Sequence, residues 1–309
     1  MKRIFIIALS IIGFACEDQI FPELNTNDPY LVVDAWITNE SEPQTITITR
    51  TQDYFDVNAP QGVTGAEVTI TDDNGRVFQF LPGSIAGQYI WSPADSTDRL
   101  GDPGTAFSLS ISVGQTMIAS NTVMGRVPEI DSVAFRFEPG DAFFPDAYFA
   151  DFWARDPVGP GDAYWIKAWK NGEYLSKPGE ISLAYDAGFT QGGNVDGLIF
   201  IQPIRDSINP FDQDENDEFL PPYEPGDSVY VEIHSISEDA FQFLNEVIIQ
   251  TDREGGFGEL FAEPLANVDS NMEIVGNTGE AVVIGFFNVA AVTGKGRRLD
   301  PNNLPGERE

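Results

Sequence analysis

Few residues in this chain have the types and spacing that chemistry needs. Cys16 is the only cysteine and His234 the only histidine among 309 residues. One of each excludes an internal disulfide and any zinc site built from three or four Cys/His ligands. A Ser-His-Asp or Cys-His mechanism would have to use His234. That residue alternates with Val229, Val231 and Ile233, so the pattern points it away from their face, towards solvent, and not towards a catalytic role. Asp212, Asp214 and Asn216 have the alternate spacing of the first half of a calcium loop. Asp217 and Tyr223 then stand where such a loop needs Gly and Glu, so an irregular surface calcium site is the most this segment could supply. Eight acids lie between Asp206 and Asp227, which otherwise read as a solvated loop available to a partner. Trp165, Lys167 and Trp169 share one face of an alternating strand, and Asp151, Trp153 and Arg155 share a face of the strand before it. Should those faces coincide, three indoles, two cations and a carboxylate form one surface able to stack a sugar ring or receive a partner loop. The competing expectation is satellite core, with the Lys and Arg stems laid over the indoles. Phosphate-binding and dinucleotide glycine loops are absent. With 49 acidic residues, any chosen carboxylate pair is uninformative about glycoside hydrolysis.

The elements that must position these residues begin with a leader. Lys2 and Arg3 precede an apolar run from Ile4 to Ile12 that is too short to cross a bilayer, which predicts a signal peptide over 1–15. Gly13-Phe14-Ala15-Cys16 resembles the lipobox of bacterial lipoproteins, which implies cleavage before Cys16 and lipidation of its sulfur. Acyl chains worth ~0.8 kcal/mol per buried methylene would then anchor the protein without a membrane helix. Glu17 and Asp18 resemble the surface-export signal of Bacteroidota lipoproteins, implying an outer-membrane, cell-surface location; the alternative is a plain acidic tether over 16–29. The net charge of −32 repels phosphate backbones and anionic headgroups, so nucleic acid is excluded as a partner.

Beyond the tether the pattern is all-β. Seven short runs between Tyr30 and Val127 alternate with turn signals, as in Leu31–Ile37, Gln44–Thr51 and the Ala66–Leu81 hairpin around Asn74-Gly75. They predict an immunoglobulin- or transthyretin-like β-sandwich without its usual disulfide. Residues 128–294 predict a larger β-rich domain in which Ala147–Asp156 and Asp162–Lys170 form a paired unit. One helix is expected near 237–251, capped by Ser235 and Glu238 and ended by Gly255-Gly256. Ala281–Val292 is apolar on both faces, as a doubly buried strand is, and 295–309 reads as a flexible tail.

Several stretches together carry a resemblance: Leu31-Val32-Val33-Asp34-Ala35-Trp36-Ile37-Thr38, Gly65-Ala66-Glu67-Val68-Thr69-Ile70, Pro128-Glu129-Ile130-Asp131-Ser132-Val133, Val231-Glu232-Ile233-His234-Ser235-Ile236-Ser237 and Gly285-Phe286-Phe287. In this order, behind a lipoprotein leader, they resemble the Bacteroidota lipoprotein family called domain of unknown function 4249. The resemblance implies outer-membrane lipoproteins often encoded beside TonB-dependent receptors, with no established activity. The expectation is therefore a non-enzymatic, lipid-anchored accessory of a TonB-dependent outer-membrane barrel, acting as lid, substrate binder or scaffold and needing no cofactor beyond a structural calcium ion. The alternatives are a stand-alone glycan-binding or adhesion lipoprotein and, more remotely, an acid-dyad hydrolase.

Overall fold

The computed structural model describes residues 28–53, 56–141, 144–215, 218–253, 262, 264–276 and 282–304. The leader, Cys16, Glu17, Asp18, Asn216 and the Gly255-Gly256 pair lie outside the described residues.

The seven expected N-terminal strands are present: β1 Leu31–Thr38, β2 Gln44–Arg50, β3 Glu67–Asp72, β4 Val77–Pro82, β5 Gln88–Trp91, β6 Ala106–Val113 and β7 Thr116–Val123. Their alternation sets the core. In β2, Ile46 and Ile48 are buried while Thr45 is exposed. The positive φ of the β3–β4 turn falls on Gly75 alone, at 82°.

The chain then builds β8 Ile130–Glu138, β9 Ala147–Ala154, β10 Ala163–Lys170, β11 Glu173–Tyr174 and β12 Ser182–Tyr185. After the short helix α1 Gln202–Arg205 come β13 Ser228–Ile236, helix α2 Glu238–Thr251, β14 Glu273–Val275, β15 Val283–Ala290 and β16 Val292–Arg298. One sheet has the order β14-β7-β6-β3-β4-β5-β2-β1-β15, a second runs β11-β10-β13-β16 with β12 also on β10, and β8 and β9 pair as a hairpin. The protein is mainly β, as expected, and a sandwich or barrel-like arrangement fits.

Three local expectations need correction. The division at 127/128 does not separate two sequence-contiguous units, because β14 and β15 return to the first sheet. There β15 pairs parallel to β1 along its length, and Met272, Phe287 and Val289 fill the first core. The strand is buried on both faces because Phe287 enters that core while Phe286 packs on the α2 side. Gly285 permits the pairing: at φ 116° its backbone lies so close to Val33 that a Cβ would collide with it. Beside the same strand, Asn271 stands in for a strand residue, its side chain bonding Phe287 N at 2.9 Å and Phe287 O at 2.8 Å.

The second correction concerns the cap of α2, which is Ser237, whose hydroxyl accepts from Ala240 N at 3.1 Å. Ser235 is buried and accepts instead from Ala291 N at 2.8 Å. Third, the expected flexible tail starts inside β16. Lys295 Nζ donates to Ile130 O at 3.0 Å and Arg297 to Val133 O at 3.1 Å, so cationic side chains satisfy carbonyls of β8 where no strand pairs. Leu299 is buried beyond them.

Candidate functional site

Strands β9 and β10 do not pair, and this separates the tryptophans that the sequence brought together. Alternate residues of both strands, Phe152 and Ala154 on β9 and Tyr164, Ile166 and Ala168 on β10, enter one shared core. The odd-numbered residues therefore face away from that core on opposite sides. Trp153 lies under the Arg205 guanidinium, 3.7 Å from its ring centre, and takes no part in a common surface with Trp165 and Trp169.

Trp165, Lys167 and Trp169 do share a face, and the register of β13 completes it. Trp165 pairs with His234, Lys167 with Glu232 and Trp169 with Tyr230, while Tyr174 on β11 sits opposite Trp169. The face has two ends. At the deep end Trp165 stands edge-on to Trp36 of β1 at 5.2 Å, and its Nε1 is buried without a hydrogen-bond partner among the described residues. At the open end Trp169 lies 5.1 Å from Tyr174 and 5.8 Å from Tyr230 between ring centres. Tyr174 and Tyr230 are 36% and 41% exposed, so this end is an aromatic platform. Tyr230 crosses β16 at Gly294, where a Cβ would strike its hydroxyl.

Charge fills the middle of the face. Lys167 Nζ sits 4.0 Å over the Trp165 ring. Burial draws its pKa down to about 8, while Glu232 and Asp34 oppose that drop. Burial likewise pushes the Asp34 carboxyl up. His234 is buried, contrary to its expected solvent-facing position, because the first sheet and Trp165 cover this end of the strand pair. Desolvation lowers its pKa, partly offset by Glu232 2.8 Å from Nε2, so at neutral pH the ring is a neutral donor to that carboxylate.

The acidic segment is more ordered than a solvated loop. Ile208 and Tyr223 are buried, the Tyr223 hydroxyl donates to Ile208 O, and the Asn209 side chain bonds both Ala150 N at 2.7 Å and Ala150 O at 2.9 Å. Asp212 is ion-paired with Lys177, and Asp214 Oδ1 accepts from Glu218 N at 3.0 Å, so both described members of the calcium half-loop are already engaged.

Sequence reasoning missed two carboxylate groups. Asp156, Asp186 and Asp196 each place an oxygen within 4.8 Å of the others, and they are the described residues best placed to hold a metal ion. Two connections supply them, Asp156 after β9 and both Asp186 and Asp196 between β12 and α1, at separations of thirty and ten residues that match no metal-binding motif. Tyr164 donates to Asp156 at 2.6 Å, Gly197 N to Asp156 at 3.0 Å, Gly161 N to Asp186 at 2.8 Å and Gly159 N to Asp196 at 2.8 Å. Arg126 closes the group through Asp162 at 2.6 Å. Through these bonds the carboxylates tie the loop after β9 to the loops after β12, which is a structural role.

The second group is Asp151 and Asp206, bridged by Arg136 at 2.5 Å and 3.2 Å. Burial first, then the hydrogen bond and charge of Asp151, push Asp206 up to about 6. The folded state thus holds the proton more tightly than the unfolded chain does, so its contribution is complete below pH 4 or so and is lost as pH rises through about 6. Asp206→Asn, which stays neutral and still accepts from Arg136, should raise stability at pH 8 by about 1–2 kcal/mol and leave it unaltered at pH 4. Equal destabilisation at both pH values in denaturant titrations would show that the pair is not strained by ionisation.

The fold and this face define a mainly β protein in which a second sheet presents a half-sunk row of aromatic and charged side chains. A family model described as a domain of unknown function, DUF4249, matches residues 17–296. The chain belongs to that family. No curated protein matches it.

Proposed function

We propose that this protein is a non-enzymatic, lipid-anchored outer-membrane protein that serves a TonB-dependent transporter as an accessory, docking through the platform formed by Trp169, Tyr174 and Tyr230. The platform is the observation that carries the reading. Aromatic rings with exposed faces contribute a disproportionate share of interface energy, and surrounding carboxylates govern encounter and salt dependence. The anchoring half rests on Cys16 behind its apolar leader, together with the absence, among the described residues, of a helix long and apolar enough to cross a membrane. A non-catalytic role is supported by the state of the titratable groups: His234 is buried and hydrogen-bonded to Glu232, and the Asp156 trio is tied to backbone amides. Affinity capture from detergent-solubilised outer membrane tests the reading. A β-barrel protein retained by the intact chain and lost on Tyr230→Ala supports it, and capture independent of the platform overturns it.

The same exposed rings favour a second reading, a stand-alone glycan binder, because pyranose rings stack on aromatic faces and carboxylates accept their hydroxyl protons. Glycan-array binding that disappears with Tyr230→Ala, with no barrel captured, would select it. Turnover of an arrayed glycan would instead revive the hydrolase alternative.

Neither reading requires a cofactor, and calcium enters only as a structural ion. Its uptake would raise the Tm between micromolar and millimolar calcium. Asp212→Ala with Asp214→Ala removes that shift for a surface-loop site, and Asp156→Asn with Asp186→Asn for a site at the trio. A melt unaffected by chelator leaves both groups as hydrogen-bonding devices alone.

A further inference from the structure

A separate apolar groove lies at the tip of the β8–β9 hairpin. Phe149 of β9, Phe144 of the connecting loop, and Phe211, Phe219 and Leu220 of the acidic segment line a cavity of about 330 Å³ together with five prolines. Phe219 is 5.0 Å from both Phe144 and Phe211 between ring centres. Phe211 is 70% exposed, Phe144 51% and Leu220 47%, so these apolar side chains gather at the surface without being sealed into the core. The groove is preformed, because the Asn209 bonds to Ala150 and the burial of Tyr223 against Phe135 fix both ends of the segment that walls it. A preformed cavity spares a ligand the cost of ordering it.

Its surroundings are acidic. Glu138 and Asp141 line the cavity, and the segment that supplies Phe211 and Phe219 also carries Asp212, Asp214, Glu215 and Glu218. The nearby cations Arg136 and Lys177 are already ion-paired, the first to Glu138, Asp151 and Asp206 and the second to Asp212. This combination discriminates among occupants. A second copy of a chain with net charge −32 would bring like charge to the rim, and an anionic lipid surface would do the same. We infer that the groove takes an aromatic or branched aliphatic side chain from a basic segment of another polypeptide, with flanking Lys or Arg residues attracted by the net negative charge of the rim, to which Glu215 and Glu218 contribute.

The inference is independent of the platform reading, and its test keeps the two apart. The probe is a fluorescent peptide, Lys-Lys-Leu-Phe-Lys-Lys, titrated with the full-length protein in detergent. Two control peptides replace Leu-Phe by Ser-Ser or every Lys by Glu. The expected result is binding at least tenfold tighter than either control, weakening as salt is raised. Phe211→Ala and Leu220→Ser should each reduce it about tenfold, with little change in Tm because Phe211 is largely exposed and Leu220 only half-buried. Trp169→Ala should leave peptide binding intact whatever it does to barrel capture. Equal affinity for the Ser-Ser peptide would reduce the interaction to charge alone. Undiminished binding by Phe211→Ala and Leu220→Ser would place it elsewhere. Either outcome overturns the inference.

Discussion

Trp165→Ala and Trp169→Ala should fail in different assays, although the two residues share a strand face four positions apart. Trp165 is packed between the sheets, edge-on to Trp36, which itself stacks on Phe286 at 5.5 Å. Removing an indole from such a place leaves a cavity that its neighbours fill only in part, at a cost of about 3 kcal/mol or more. It also strips Lys167 of the ring beneath its ammonium group, leaving only the charges of Glu232 and Asp34 to favour its protonated form. The expected result is a large fall in Tm with partner capture preserved per folded molecule. Trp169 is the half-buried hinge of the open platform, and the exposed Tyr230 is the cleaner probe of the same surface. Trp169→Ala and Tyr230→Ala should weaken capture by ~2 kcal/mol, with a smaller effect on Tm than Trp165→Ala. Loss of stability with capture intact in all three variants would remove the platform from the docking proposal.

Cys16→Ser should have the largest effect of any single substitution on where the protein resides. If acyl chains on Cys16 are the anchor, the variant should move from the membrane fraction to the soluble fraction almost completely, because each buried methylene contributes ~0.8 kcal/mol and several chains act together. The charge of the protein would add repulsion from anionic headgroups. Sedimentation of Cys16→Ser with outer membranes after high-salt and carbonate washing would rule out lipid as the anchor. Surface export is separable: Glu17→Ala with Asp18→Ala should leave the protein lipidated and membrane-bound but shielded from protease added to whole cells. Cleavage equal to that of the parent would assign the acids to the tether alone.

What the sequence determined by itself is local. The seven N-terminal strands, the hairpin turn at Asn74-Gly75 and the helix near 237–251 follow from period and turn chemistry, because neighbours in the chain supply the whole signal. The shared face of Trp165, Lys167 and Trp169 was legible for the same reason, since side chains alternate along any strand. Which strands lie side by side was not. Alternation places Trp153 on a face of β9 but does not say that β9 pairs only with β8, and that choice put a core between Trp153 and the other two indoles. The burial of His234 depends on which surface packs over β13, which is a property of the first sheet and not of residues 229–234. The pairing of β15 with β1 joins residues some 250 positions apart through backbone hydrogen bonds, which carry no side-chain signature apart from Gly285. The Asp156–Asp186–Asp196 trio and the groove around Phe219 are assembled from separate loops, and only packing brings loops together. Period and turn chemistry are read one segment at a time; the site depends on how segments meet, and that was settled by the burial of two sheets and a hairpin against one another.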